Sequence, residues 1–336
     1  MNRMIKKLFP SVVLFLFVAA MLSACGGGGG TSPDGGNATS SGSEKTVSFS
    51  MGLQPWVGYA PWWIAAEQGI FDKYGLDVKI VNFIQDADIN AAFASDNIKV
   101  ANLATHTAIK LVGTNKLDLL GISLLDVSME ADAVIARGDI KSISDLKGKK
   151  VAFEEGTTSD LLIRKALIEN HMSINDIQVV YMPASDAGLA LLSGNVDAAV
   201  TYEPYISNVK AKGEVNMIYS GREAPGLISD MAFIKSKFLE ENPDIIDKLR
   251  KVWDETLEFW KNNKEAGDKI IADNVGIDVS ELQIILDGLK YYDSAEQAKV
   301  ADSEDFLNTV KNIQQILIDQ KMLDGEIDLN RLLHLK

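Results

Sequence analysis

Twice along this chain, runs with the two-residue alternation of a strand give way through short turns to runs with helical spacing, and the order keeps repeating. Val47, Phe49 and Met51 alternate with polar neighbours, as in a half-buried strand, and Pro55-Trp56-Val57-Gly58 then breaks the alternation. Pro61 falls in a first helical turn, where its missing N–H does no harm, and Ile64-Ala65-Ala66 carry that helix to a stop at Gly69. A strand over 77–83, a helix over 88–94, a buried strand over 100–103, a helix over 108–112 opened by Thr105-His106-Thr107 and a strand over 117–122 continue the series. It restarts with a strand over 149–154, a turn and cap over 156–160, a helix over 161–170, a strand over 177–182, a helix over 187–192 and a strand over 197–201. Strands that alternate with helices predict a parallel sheet covered on both faces, with ligands bound at the carboxyl ends of the strands. Three of the five tryptophans, Trp56, Trp62 and Trp63, crowd into one such end, and their rings are large contact surfaces for a small ligand.

A faint internal echo supports two similar lobes: Ala94-Ser95-Asp96-Asn97-Ile98 and Leu192-Ser193-Gly194-Asn195-Val196 each end a helix and lead into a buried strand. The character changes after Ile228. Residues 236–322 read as almost wholly helical, with Ile246, Leu249, Val252, Trp253, Leu257 and Trp260 at helical spacing, and this tail is expected to pack back on the first lobe.

Ahead of the folded part, Arg3, Lys6 and Lys7 precede an apolar run over 11–22 that is too short to span a bilayer. Leu22-Ser23-Ala24-Cys25 follows, and the segment resembles a bacterial lipoprotein signal over 1–24, cleaved before a lipidated Cys25. Residues 25–45 then read as a flexible tether of Gly, Ser, Thr and Asn, spanning on the order of 25 Å as a random coil. Cys25 is the single cysteine, which excludes disulfides, cysteine metal sites and a cysteine nucleophile in the folded part. Loss of the leader's three cations takes the net charge from −14 to −17, and an acidic body with no basic stripe argues against nucleic acid.

Gly58-Tyr59-Ala60-Pro61, Ala65-Ala66-Glu67-Gln68-Gly69-Ile70-Phe71 and Tyr74-Gly75-Leu76-Asp77-Val78 resemble the first lobe of solute-binding proteins of nitrate, taurine and aliphatic sulfonate ABC importers. Ile143-Ser144-Asp145-Leu146-Lys147-Gly148-Lys149-Lys150-Val151 is similar to the same family. So are Leu192-Ser193-Gly194-Asn195-Val196-Asp197-Ala198-Ala199-Val200 and Tyr202-Glu203-Pro204. The resemblance implies an α/β, two-lobed periplasmic-binding-protein-like clamp of type II with two crossovers and a helical C-terminal segment. The crossovers are expected near 125–132 and 220–230. The first lobe is then 46–128 with 223–336, and the second is 129–222. The implied role is capture of a small polar solute in the cleft and delivery to membrane permease subunits, by an exported, lipid-anchored monomer at the outer face of the cell membrane or in the periplasm. No cofactor, metal or bond-breaking step is implied. Pyrimidine-forming enzymes of thiamine synthesis share the fold family, but their cysteine-rich motif has no counterpart after Cys25. Gly-x-Ser-x-Gly, His-Glu-x-x-His and P-loop patterns are also missing.

Within such a cleft, Trp56 and Tyr59 are the expected first-lobe contacts; Trp62 and Trp63 face different ways, so one of them, Trp62, is chosen. Thr105 and His106 open a helix, where N–H groups and hydroxyls can meet an anion, and Thr157, Thr158 and Ser159 form a similar corner in the second lobe. Helix capping explains both groups as well. Asp126 and Asp230 at the crossovers and Glu203 at a strand end point the other way, because a carboxylate beside a sulfonate is costly and beside an amine or guanidinium is favourable. A cation held by Asp126, Glu203 and Asp230 and boxed by Trp56, Tyr59 or Tyr205 therefore stands beside the anion reading, with a thiamine-pyrimidine precursor as a further alternative.

Overall fold

The computed structural model describes residues 46–301 and 303–335; the leader, the proposed lipidation site Cys25 and the tether lie outside them. In chain order its strands are β1 (Val47–Leu53), β2 (Leu76–Asn82), β3 (Val100–Ala104), β4 (Leu119–Ser128), β5 (Asp132–Arg137), β6 (Lys150–Phe153), β7 (Gln178–Tyr181), β8 (Ala198–Tyr202), β9 (Val215–Ser220), β10 (Ser229–Lys235) and β11 (Leu289–Tyr291). They form a sheet of order β11-β4-β10-β3-β1-β2 and a second of order β7-β6-β8-β5-β9, the two-sheet α/β architecture expected from the repeated strand–helix order. The chain leaves the first sheet after Ser128, enters the second at Asp132, and returns between Ser220 and Ser229.

Both sheets are mixed, where strand–helix alternation alone predicts parallel ones. β1 runs parallel to β2 and β3, and β6 to β7 and β8, but β10 is antiparallel to β3 and β4, and β5 to β8 and β9. The exceptions are the first strand after each crossing, β5 and β10, and the short edge strand β11, antiparallel to β4. A chain that enters a lobe at the cleft runs away from it, against strands such as β3 and β8 that run toward it. Neither β5 nor β10 shows the alternation of a half-exposed strand, because both lie inside their sheets and are buried almost throughout.

The helix Ala60–Glu67 carries proline in its first turn and ends before Gly69, whose left-handed φ of 65° suits glycine. It packs in the first lobe's core against the long helix Ile245–Asn262, with Trp62 stacked 5.9 Å from Phe71 and 4.8 Å from Trp253 between ring centroids. The helical tail does more than return to the first lobe. Phe306, Val310, Ile313 and Leu317 of the helix Glu304–Asp319 share a core with Leu161, Leu162 and Leu167 of the second lobe's helix Thr158–Glu169. Arg164, ion-paired to the fully buried Asp160 at 2.5 Å, also donates to Gln320 in this seam.

Candidate functional site: a carboxyl-lined cleft

At the cleft end of the first sheet, Asp126 on β4 and Asp230 on β10 are register partners, and Asp230 also stands opposite Ala104 at the end of β3. The loop after β1 closes over them. Tyr59, at the end of the 3-10 turn Val57–Tyr59, donates its phenol to Asp230 Oδ1 at 2.5 Å. Tyr291, opposite Asp126 on β11, donates to the Val57 carbonyl at 2.5 Å. Gly58 is needed for this approach: a Cβ there would sit 2.1 Å from Asp126 Oδ2 and 2.4 Å from Trp56 Nε1. Asp126 is fully buried, and although the Trp56 indole faces it, neither carboxyl oxygen has a hydrogen-bond partner of normal geometry. Burial, then the neighbouring Asp230, push its pKa well above the usual carboxylate range; the Trp56 N–H pulls the other way, and Asp132 adds to the rise.

The second lobe contributes from the ends of β5 and β8. Asp132 opens β5 opposite Tyr202, and its N–H donates to Ser128 Oγ at 3.0 Å. It is 6% exposed, its Oδ2 has no partner, and burial, with Glu203 adding to it against the Ser128 hydrogen bond, raises its pKa to about 7. Glu203 is turned onto the start of the helix Tyr205–Lys210, accepting from the Ser207 N–H and hydroxyl, each at 3.0 Å. Its own N–H donates to the Ala131 carbonyl at 2.8 Å and ties the end of β8 to the crossing. An aromatic row joins the two lobes, with Trp56 edge-on to Tyr202 at 6.1 Å and Tyr202 edge-on to Tyr205 at 5.2 Å. Lys110 of the first lobe donates to the Gly156 carbonyl of the second at 2.8 Å, a second contact between the lobes.

Other candidates lie elsewhere. Trp62 is fully buried and donates to Asn102 Oδ1 at 2.9 Å, which makes it core rather than cleft surface, because that hydrogen bond satisfies its polar edge inside the lobe. Thr105 holds the second crossing, its hydroxyl 3.0 Å from the Ser229 carbonyl and 2.8 Å from Ser229 Oγ. His106 is buried beside Thr107; burial, aided by Lys110, lowers its pKa to about 3 and keeps the ring neutral. The hydroxyls of Thr157 and Ser159 bond to each other at 2.9 Å and to the Glu154 backbone, while Thr158 begins the helix Thr158–Glu169. That corner is occupied with fastening its own turn, and the buried Asp160 accepts its Gly156 N–H, a poor setting for an anion. Among the described residues no group of three or more His, Cys, Asp or Glu side chains could hold a metal ion.

Residues 56–266 match the model of the family described as NMT1/THI5 like. A protein of Brucella abortus named as a binding protein is 30% identical over 265 residues, spanning 76% of this chain and 82% of its own length. The chain belongs to the NMT1/THI5-like family. A Bacillus subtilis protein named as an aliphatic sulfonates-binding protein is 23% identical over 94% of this chain and 92% of its own. Among solved structures, the periplasmic aliphatic sulphonate binding protein SsuA from Escherichia coli superposes with a TM-score of 0.73 at 19% identity, covering 85% of this chain and 91% of that one; the likeness is one of fold.

In this NMT1/THI5-like chain the matched span begins at Trp56 and includes Tyr59, Asp126, Asp132, Glu203 and Asp230. Sequence reasoning passed over Asp132, Tyr202 and Tyr291. A signal for Asp132 exists: like Asp230, it lies at the start of the strand that follows a crossing. Tyr291 has none, because a three-residue strand inside a helical tail carries no period to read.

Proposed function

We propose that this protein is an extracytoplasmic solute-binding protein of an ABC importer, held at the membrane through a lipidated Cys25, that closes its lobes on a small cationic or N–H-rich solute. The relatives' names support the binding role, and the leader supports export and anchoring. One observation carries the sign of the charge: Asp126 is fully buried, neither of its oxygens has a hydrogen bond of normal geometry, and among the described residues no cation of the protein is among the groups that shift its ionisation. A buried acceptor left unmade costs about 1–3 kcal/mol, more when charged, and an arriving ammonium, guanidinium or aminopyrimidine edge removes that cost. A solute held by Asp126 and Asp230 on one side and Tyr202 on the other gains more from the closed form than from the open one, and that difference drives closure.

A second reading follows from the same carboxyl. With its pKa raised, Asp126 in protonated form can donate to an anion, in keeping with relatives named for aliphatic sulfonates. The two readings have opposite pH dependence: ionisation of Asp126 strengthens a cation's binding and weakens an anion's. A thermal-shift panel of alkylamines, guanidine, aminopyrimidines, taurine, alkanesulfonates and nitrate separates them, since a ligand of the native state raises its melting temperature. Stabilisation by a cation or aminopyrimidine and none by sulfonates supports the proposal; stabilisation by sulfonates or nitrate alone overturns it.

A further inference from the structure

The first lobe's carboxyl pair, Asp126 with Asp230, has a counterpart in the second lobe. Asp132 and Glu203 lie on the far side of the first crossing, with Asp132 the register partner of Tyr202, the residue before Glu203; the charge of Glu203 raises the Asp132 pKa and that of Asp132 raises the Asp126 pKa. The counterpart is not a bare acidic cluster. Asp132 is 94% buried by its 6% exposure, and its Oδ2 lacks any partner, the same condition found at Asp126 in the other lobe. Glu203 is already satisfied by Ser207, so Asp132 is the second lobe's available acceptor. The Trp56–Tyr202 contact brings the two strand ends that carry these acceptors to the same part of the cleft, since Tyr202 is the register partner of Asp132. Each lobe thus presents a buried carboxyl with an oxygen lacking a hydrogen bond of normal geometry, both oxygens at Asp126 and Oδ2 at Asp132.

We infer that the solute is bifunctional, with a cationic or N–H donor group at each end, one taken by Asp126 of the first lobe and the other by Asp132 of the second. Asp132 is then a specificity-determining residue that selects such solutes over those with a single donor. The arrangement rests on the cation reading of the cleft and extends it. It also gives closure a direct cause: a solute with one donor satisfies one lobe, and a solute with two satisfies acceptors that come together only when the lobes meet.

Calorimetric titration of the full folded chain with ethylenediamine through hexamethylenediamine, each beside the alkylamine of equal chain length, tests this. The expected result is one preferred diamine length that binds at least about tenfold more tightly than its monoamine, the size of one charge-assisted hydrogen bond. In Asp132→Asn that diamine-to-monoamine ratio falls to about one, again by the loss of that bond. Equal affinities of monoamines and diamines at every length in the unaltered protein overturn the inference while leaving the cation reading intact. Failure of every amine, with sulfonates bound, overturns the cation reading itself. The chain-length series needs no substitution, so it decides the matter even if Asp132→Asn does not fold.

Discussion

Asp126→Asn keeps the shape of the side chain and removes its charge. Breaking one partner of a buried charge pair costs about 2–5 kcal/mol, so cation affinity falls by at least about thirtyfold in a calorimetric titration. The solute-free protein is expected to melt no lower than the parent, because an unpartnered buried carboxyl contributes nothing that an amide loses. A loss of about thirtyfold or more with unchanged melting separates a binding residue from a structural one. Gly58→Ala is expected to abolish binding as well, since its Cβ would press into the Asp126 carboxyl. Asp132 makes a pH prediction with a definite sign. Its pKa is about 7 in the folded protein and near 4 in an unfolded chain, so its stabilising effect is complete below about pH 4 and is lost as the pH rises through 7. Denaturation followed across that window should show the solute-free parent weakening, and Asp132→Asn should show a flatter profile. An identical slope in the variant would remove Asp132 from the account.

The strand–helix order from β1 to the helix Thr105–Gly113, and again from β6 to β8, was legible because each element has its own period or its own start and stop residues. β5 and β10 were not, since a strand inside a sheet has no exposed face to mark its alternation and its direction is set by where the crossing enters; the edge strand β9 is half-buried along most of its length and shows no alternation either. The site divides similarly. Asp126, Glu203 and Asp230 could be named because they sit at strand ends or crossings, whereas Trp62 was chosen for the cleft and lies in the core, because adjacent tryptophans on a helix look alike until Asn102 and Trp253 are in place. Trp62→Phe is accordingly expected to lower stability by about 1–3 kcal/mol through a lost hydrogen bond and lost packing, with cation affinity unchanged. A large affinity loss at unchanged stability would return Trp62 to the cleft. The corner at Thr157 and Ser159 makes a matching prediction: because its hydroxyls are spent on Glu154, Thr157→Val is expected to affect melting more than binding.

For the whole molecule, the carboxyls set the balance between open and closed forms. In the solute-free protein, closure brings Asp126, Asp132, Asp230 and Glu203 together out of water, and it is easiest when some of them hold protons. Small-angle scattering of the solute-free protein should therefore report a larger radius of gyration near about pH 8 than near about pH 5, with a bound cation restoring the smaller value. A radius independent of both pH and cation would mean that the carboxyls do not govern closure. The charge of the solute is central to all of this, and calorimetry with a matched pair tests it most directly: the preferred amine against the sulfonate of equal chain length, each titrated near about pH 5 and about pH 8. The amine is expected to bind, and more tightly at the higher pH, while the sulfonate gives no heat of binding. A sulfonate that binds, tightening as the pH falls, would contradict it.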